Sequence, residues 1–172
     1  MTVIEGVDVA SDSCADVLAS SALAGVPVDV VIHNAGASSN DRSVTDIKQQ
    51  QNFDGVTTEC MLGAFQVNTL GPLRVQKFLD GQMVSPGGKV IVISTGMGSI
   101  NDNGSGGMYA YRVSKAAVNM LAVNMKHTYK DRSVAVCCIN PGMVATDFGP
   151  GKLNTSIHSS LAPSLARSLN PL

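Results

Sequence analysis

The chain has 172 residues, of which 44% are hydrophobic and 15% are charged, and its formal net charge is −1. This length suffices for one domain with a buried core, and the composition is typical of a soluble globular protein. The sequence has no basic run, which argues against electrostatic binding to nucleic acid or to an anionic membrane.

Four short runs rich in β-branched residues predict strands, and the segments between them carry helical signals. Three of the runs are almost continuously apolar, which is typical of strands buried on both faces of a parallel sheet. In chain order the predicted strands cover residues 2–9, 26–32, 88–94 and 134–139. Predicted helices cover residues 11–23, 58–79 and 109–130. Pro72 should perturb the second helix or mark a joint in it.

The alternation of strands and helices predicts an α/β fold with a doubly wound parallel sheet and right-handed crossovers. Residues 1–150 would form a single domain. Residues 151–172, which are rich in Ser, Pro and Asn, would be an irregular C-terminal tail of that domain.

Location and redox state can also be predicted from the sequence. The longest apolar stretches are too short to span a bilayer, and the N-terminus lacks the pattern of a secretory signal, so we expect a cytoplasmic protein without a membrane partner. The cysteines show no C-x-x-C spacing, which fits neither a zinc site nor a disulfide framework. We therefore expect no metal, and reduced thiols at Cys14, Cys60, Cys137 and Cys138.

The sharpest chemical signal is the pair Tyr111 and Lys115 in the last predicted helix. Positions i and i+4 lie on one face of a helix, so the phenol and the ammonium can reach the same site. A tyrosine with its ordinary pKa of ~10 is a poor acid or base at neutral pH, and a nearby cation should lower that pKa. The alternative interpretation is a solvated helix face with a packed tyrosine.

Motifs of polar residues or glycines follow the carboxyl ends of three of the predicted strands. The carboxyl ends of parallel strands meet at one edge of a sheet, where α/β proteins bind ligands. We therefore expect these motifs to gather near the Tyr111–Lys115 helix. In chain order they are His33-Asn34-Ala35-Gly36, Ser94-Thr95, and Pro141-Gly142 followed by Thr146.

This order of motifs resembles the short-chain dehydrogenase/reductase family. The shared pattern is an N-N-A-G-type motif at 33–36, Asn68 within a helix, a hydroxyl at a strand end, Y-x-x-x-K at 111–115 and a later P-G motif. The stretches 71–75, 96–99 and 107–112 are similar to the C-factor-like and sniffer-like carbonyl reductase branch. The resemblance runs from about Val3 to Gly149 and implies a Rossmann-like, NAD(P)-binding fold for the domain.

The resemblance implies four catalytic residues. Tyr111 would be the general acid/base at the substrate oxygen, and Lys115 would lower the pKa of Tyr111 and hold the nicotinamide ribose. Thr95 would hydrogen-bond the substrate carbonyl, with Ser94 and Ser99 as alternatives. Asn68 would support a proton-relay water, or could simply cap or break a helix.

The resemblance also implies a cofactor, a substrate class and an assembly. The cofactor would be NADP or NAD, the substrate a small carbonyl or alcohol compound, and the protein a homo-oligomer, since family helices of this kind commonly pack across a dimer interface. The resemblance also assigns Asp8 to the cofactor site, although Asp8 could equally be an ordinary turn former. His33 stands where the family usually has asparagine, and we expect it to be structural. The implied cofactor-binding residues are Asp8, Val9, Asn34, Ala35, Gly36, Lys115, Pro141, Gly142 and Thr146.

The start of the family pattern has no match in this sequence. Residues 2–9 resemble the family's third strand, and no G-x-x-x-G-x-G precedes His33. The resemblance therefore implies that a first βαβ unit of about 30 residues or more is missing.

Two interpretations of the function remain. The first is a nicotinamide-dependent oxidoreductase. The second is a truncated, non-catalytic remnant that acts as an interaction or signalling protein. The missing first strands would also leave the run at 28–32 as an exposed edge.

Overall fold

The computed structural model describes residues 1–38, 52–142 and 144, and Met1–Gly142 form one compact unit. Strands and helices alternate along this unit, as the sequence predicts. The strands are β1 (Val30–His33), β2 (Lys89–Ile93) and β3 (Ala135–Ile139), and the α-helices are α1 (Cys14–Ala19), α2 (Thr58–Phe65), α3 (Gly71–Leu79) and α4 (Tyr109–Thr128). Short 3-10 helices cover Asp80–Gln82, Gly96–Gly98 and Lys130–Arg132.

The strands form a parallel sheet in the order β1-β2-β3, which confirms the predicted α/β fold. Val31 pairs with Val90, and Val90 pairs with Val136, so these three side chains share one face of the sheet. On the opposite face, Val30 is 45% exposed and Ile32 is 57% exposed. Within the described residues β1 is therefore an edge strand with an exposed apolar face, as the sequence predicts.

The main core lies between the sheet and helix α4. Val90 and Val92 of β2 are almost fully buried against Val118 and Ala122 of α4. Each buried valine contributes on the order of 1.5–3 kcal/mol relative to an exposed one. This packing fixes α4 across the sheet and so determines where its first turns lie.

The strand predicted for residues 2–9 is wrong, because the structure has no regular secondary structure over residues 1–8 and a turn begins at Val9. A β-strand needs a neighbour for its backbone hydrogen bonds, and none of the described strands pairs with this segment. The segment is held instead through Arg74, whose Nη1 donates to the Val9 carbonyl at 3.1 Å. Val9 also packs on Gly71, where an added Cβ would lie only 3.1 Å from Val9 Cγ2.

The predicted helix over residues 58–79 is helical throughout, but it is not a single α-helix. A π-helical segment, Gln66–Leu70, joins α2 to α3 immediately before Pro72. Pro72 has no N–H and cannot donate to the carbonyl four residues earlier, at Asn68. The N–H of Gly71 instead donates to the Gln66 carbonyl, five residues back. The expected perturbation therefore takes the form of a π turn centred on Asn68, a feature often found at functional sites.

In the part of the chain that the structure describes, no helix is long and apolar enough to cross a membrane. Nor do three or more His, Cys, Asp or Glu side chains cluster as metal ligands anywhere in those same residues.

Candidate active site

The residues expected at the sheet edge lie at the ends of the three strands. Asn34 follows β1 directly, and Ser94 and Thr95 follow β2. After β3 the chain passes through Asn140 to Pro141. The backbone N–H of Ser94 donates to the Ile139 carbonyl at 2.8 Å, which continues the ladder to the end of β3. The 3-10 turn Gly96–Gly98 then packs on helix α4. This packing brings the end of β2 beside the first turns of α4.

Tyr111 and Thr95 meet at this point. The Thr95 side chain hydrogen-bonds the Tyr111 phenol. The Thr95 oxygen also accepts the Met97 N–H at 3.2 Å, which caps the 3-10 turn and leaves the hydroxyl proton for Tyr111. Burial raises the pKa of Tyr111, and the hydrogen bond from Thr95 partly opposes that rise.

The predicted lowering of the Tyr111 pKa by Lys115 is wrong for this structure. Lys115 Nζ lies 5.8 Å from the centre of the Tyr111 ring and donates to the Ile93 carbonyl at 2.8 Å. The Lys115 side chain is only 4% exposed, and this burial lowers its own pKa, with Cys138 opposing the shift. The ammonium is therefore directed to the sheet backbone, and desolvation dominates the pKa of the phenol.

Asn68 joins two parts of the site through its side chain. Its Oδ1 accepts the Ala37 N–H at 2.8 Å, and its Nδ2 donates to the Ala37 carbonyl at 2.7 Å and to Ser114 Oγ at 2.8 Å. Both amide protons are therefore used, and the residue is 1% exposed. Asn68 thus fixes the loop after β1 to helix α4, a role that differs from simple helix capping.

Ser114 is a site residue that the sequence analysis missed. It lies between Tyr111 and Lys115, accepts from Asn68, and donates from Oγ to the Tyr111 carbonyl at 2.8 Å. Thr69 Oγ1 also donates to the Ser114 carbonyl at 2.9 Å. A small hydroxyl three residues after a candidate catalytic tyrosine was the available signal, since i and i+3 are neighbours on a helix.

The structure distinguishes Thr95 from its two alternatives. Ser94 Oγ donates to Asn119 Oδ1 at 2.6 Å and is buried against α4. Ser99 Oγ hydrogen-bonds the Asp102 carboxylate at 2.9 Å, in the exposed loop beyond the turn. Of the three hydroxyls, Thr95 is the one that hydrogen-bonds Tyr111.

The nicotinamide end of a dinucleotide fits the residues around Lys115. An ammonium carries three donors, and one of them goes to the Ile93 carbonyl. A Cβ added to Gly36 would lie 3.8 Å from Lys115 Nζ and 3.6 Å from Asn68 Oδ1, so glycine keeps this approach open. Asn34 and Ala35 beside it are exposed. Two ribose hydroxyls could therefore reach the ammonium from this side.

Asp8, Pro141 and Gly142 are the other described residues that were predicted to bind the cofactor, beside Val9. Asp8 is exposed, and its carboxylate accepts the Ala10 N–H at 2.9 Å, which is the turn-forming role that the sequence left open. Pro141 and Gly142 are exposed after β3, where Gly142 has a φ of 73° that favours glycine. Thr146 lies outside the described residues.

His33 is bonded within the core rather than toward the site. Its side chain is 7% exposed, and Nε2 donates to Gln76 Oε1 at 3.1 Å. Gln76 Nε2 in turn donates to the Tyr129 hydroxyl at 2.8 Å, so three elements are joined by one buried chain. Burial lowers the pKa of His33, and the hydrogen bond to Gln76 partly opposes this. This arrangement agrees with the structural role expected from the sequence.

Stability should fall as His33 becomes protonated. Because its pKa is lowered in the folded state, the unfolded chain binds the proton more tightly. The contribution of His33 is therefore complete above the unfolded pKa of ~6.5 and is lost as the pH falls through the folded pKa. We expect the urea midpoint to drop between about pH 7.5 and about pH 5.5, and to drop less in His33→Asn. His127→Asn, at an exposed position, should keep the wild-type pH dependence; an equally steep drop in His33→Asn would contradict the prediction.

A parallel sheet whose carboxyl edge carries this cluster defines a Rossmann-like α/β protein. The sequence-family model for short chain dehydrogenases matches residues 2–155 of this chain. The chain is also 36% identical over 170 residues to a 1-hydroxy-2-glutathionyl-2-methyl-3-butene dehydrogenase of Rhodococcus sp. (strain AD45), covering 96% of this chain and 68% of that protein. The chain therefore belongs to the short-chain dehydrogenase family, as the sequence predicts.

Two further relatives agree with this assignment. The C-signal protein of Myxococcus xanthus is 36% identical over 124 residues, which cover 72% of this chain and 69% of that protein. A short-chain dehydrogenase/reductase of Burkholderia multivorans, solved with bound NADP, superposes with a TM-score of 0.71 at 31% identity. That match covers 85% of this chain and 60% of the solved chain, so this chain spans about three fifths of its length.

Proposed function

We propose that the protein is an NADP-dependent, or NAD-dependent, oxidoreductase that interconverts a small carbonyl compound and its alcohol. The observation that carries this proposal is the cluster at the sheet edge, where Thr95 meets the Tyr111 phenol and the buried Lys115 ammonium lies 5.8 Å from the centre of the Tyr111 ring. The family membership and the NADP bound by the Burkholderia multivorans relative support the choice of cofactor. When bound, the nicotinamide would supply or accept the hydride.

The residues of the chain would manage the oxygen of the substrate. When substrate binds, the Thr95 hydroxyl would turn from the phenol to the substrate carbonyl and orient it. Tyr111 would donate the phenolic proton to the carbonyl oxygen as negative charge develops there. Tyr111 carries its proton at neutral pH, and the hydrogen bond from Thr95 opposes the loss of acidity that burial causes by raising the Tyr111 pKa. Lys115 would hold the ribose hydroxyls, and Asn68 would keep the β1 loop in place beside it.

The substrate, assembly and location follow from the same proposal. The Rhodococcus relative is named as the dehydrogenase of a hydroxyl compound, which favours an alcohol or carbonyl substrate here. We propose that two copies associate through the exposed apolar residues of α2 and α4, among them Leu62 (55% exposed) and Met120 (62% exposed). A cytoplasmic location fits the unpaired thiols of Cys14, Cys60, Cys137 and Cys138.

The first test is a fluorescence titration of the 172-residue chain with NADPH and, separately, with NADH. The chain has no tryptophan, so the emission of the reduced nicotinamide can be followed without that background. We expect saturable binding, followed by oxidation of NADPH in the presence of aldehydes or ketones. The absence of binding to a chain that is folded by circular dichroism would reject the proposal and favour the non-catalytic alternative.

A further inference from the structure

The turn that follows β2 is tied to helix α4 by one side chain, Asn119. Asn119 Oδ1 accepts the hydroxyl of Ser94 at 2.6 Å, and Asn119 Nδ2 donates to the Gly98 carbonyl at 3.4 Å. Ser94 and Gly98 flank the segment that begins with Thr95. One amide therefore holds both ends of the segment that presents the Thr95 hydroxyl to Tyr111.

Gly98 shows how closely the 3-10 turn after β2 packs on helix α4. A Cβ at Gly98 would lie 2.9 Å from the Lys115 carbonyl carbon and 3.0 Å from Asn119 Nδ2. Real Cβ atoms do not approach a backbone this closely, so the turn can rest on α4 only with glycine at this position. The turn thus packs directly on the stretch of α4 that runs from Lys115 to Asn119.

The spacing along α4 links this contact to the site. Tyr111, Lys115 and Asn119 follow one another at intervals of four residues, so they lie on one face of the helix. Tyr111 meets Thr95, Lys115 meets the Ile93 carbonyl, and Asn119 meets Ser94. Three successive turns of α4 therefore contact three successive residues at the end of β2.

We propose, on the basis of the function proposed above, that Asn119 is a positioning residue that sets the Thr95 hydroxyl against the Tyr111 phenol by holding Ser94 and Gly98. Asn119 touches neither substrate nor cofactor in this role. It acts through the segment that it ties down.

The proposal is tested by the hydrogen bond itself, which does not depend on turnover. The chain has three tyrosines, so the 13Cζ resonance of Tyr111 can be assigned in labelled protein by single Phe substitutions. Thr95→Val removes the hydroxyl, and the resulting change in the Tyr111 13Cζ chemical shift near neutral pH defines the effect of losing the hydrogen bond completely. Asn119→Ala should move the resonance in the same direction by at least half as much. Asn124→Ala, the same change at an exposed position of α4, should leave it unmoved.

Kinetics provide the second readout. We expect Asn119→Ala to lower kcat for carbonyl reduction by about 3- to 10-fold, with the KM for NADPH changed by less than about twofold, because orientation is lost while ribose binding is kept. Ser94→Ala removes the same bond from the strand side and should reproduce the spectral shift if Asn119→Ala fails to fold. A Tyr111 resonance that moves in Thr95→Val but stays at its wild-type position in Asn119→Ala and Ser94→Ala would overturn the proposal. Absence of turnover in the wild type would instead reject the proposed function, and the spectral comparison would still decide the role of Asn119.

Discussion

Replacing Tyr111 with phenylalanine is expected to lower kcat for carbonyl reduction by about 10²- to 10⁴-fold, the range typical of a general acid. The phenolic proton is lost, while the ring and its packing at the start of α4 remain. Binding of NADPH should stay close to wild type, because the ribose is assigned to Lys115 rather than to the phenol. The measurement is steady-state NADPH oxidation together with a binding titration.

Tyr109 provides a matched control for this substitution. It lies on the same helix two residues earlier and is 37% exposed, and its ring is 5.9 Å from that of Phe53. Tyr109→Phe keeps that ring contact and should retain wild-type kcat. If Tyr111→Phe reduced carbonyl compounds at the wild-type rate, the proton would have to come from another group and the assignment of Tyr111 would fail.

Replacing Lys115 with methionine is expected to weaken NADPH binding by about 10- to 100-fold, the effect of losing charge-assisted hydrogen bonds to the ribose. The folded chain should not become less stable. Burial already penalises the Lys115 ammonium, as its lowered pKa shows, and methionine fills a similar volume without a charge. The urea midpoint should therefore stay at or above the wild-type value.

Weaker NADPH binding together with an unreduced urea midpoint would separate a binding role of Lys115 from a structural one. Lys126→Met, at an exposed position of the same helix, should change neither the affinity for NADPH nor the urea midpoint. Raising the pH through the lowered pKa of Lys115 should weaken NADPH binding to the wild type and leave the already weak binding of Lys115→Met unchanged. Affinity at the wild-type level in Lys115→Met would show that the ammonium does not hold the ribose.

The same buried environment acts on the two groups in opposite directions. Removing a charged form from water is costly, so burial raises the pKa of Tyr111 and lowers the pKa of Lys115. Both shifts favour the neutral form. The phenol is therefore kept as a proton donor, and the hydrogen bond from Thr95, which favours the phenolate, opposes the shift. This is why the position of Thr95 matters for the proposed reaction.

The sequence by itself determined the architecture and the approximate location of the site. Apolar runs near residues 30, 90 and 136 identify buried parallel strands, because periodicity and β-branching are local properties. The i, i+4 spacing places Tyr111 and Lys115 on one helix face, since helix geometry is fixed by the backbone. The order of motifs along the chain was enough to identify the family.

Only the tertiary structure decided which neighbours each of these groups has. Asn68 bonds to Ala37, 31 residues away, and to Ser114, 46 residues away, and no local pattern encodes such pairs. The segment at 2–9 has strand propensity but no strand, because pairing needs a partner that the described residues do not supply. The pKa of Tyr111 rises rather than falls because burial outweighs the hydrogen bond from Thr95. Propensity and spacing are properties of the chain, whereas burial, pairing and hydrogen-bond partners arise only when distant segments pack together.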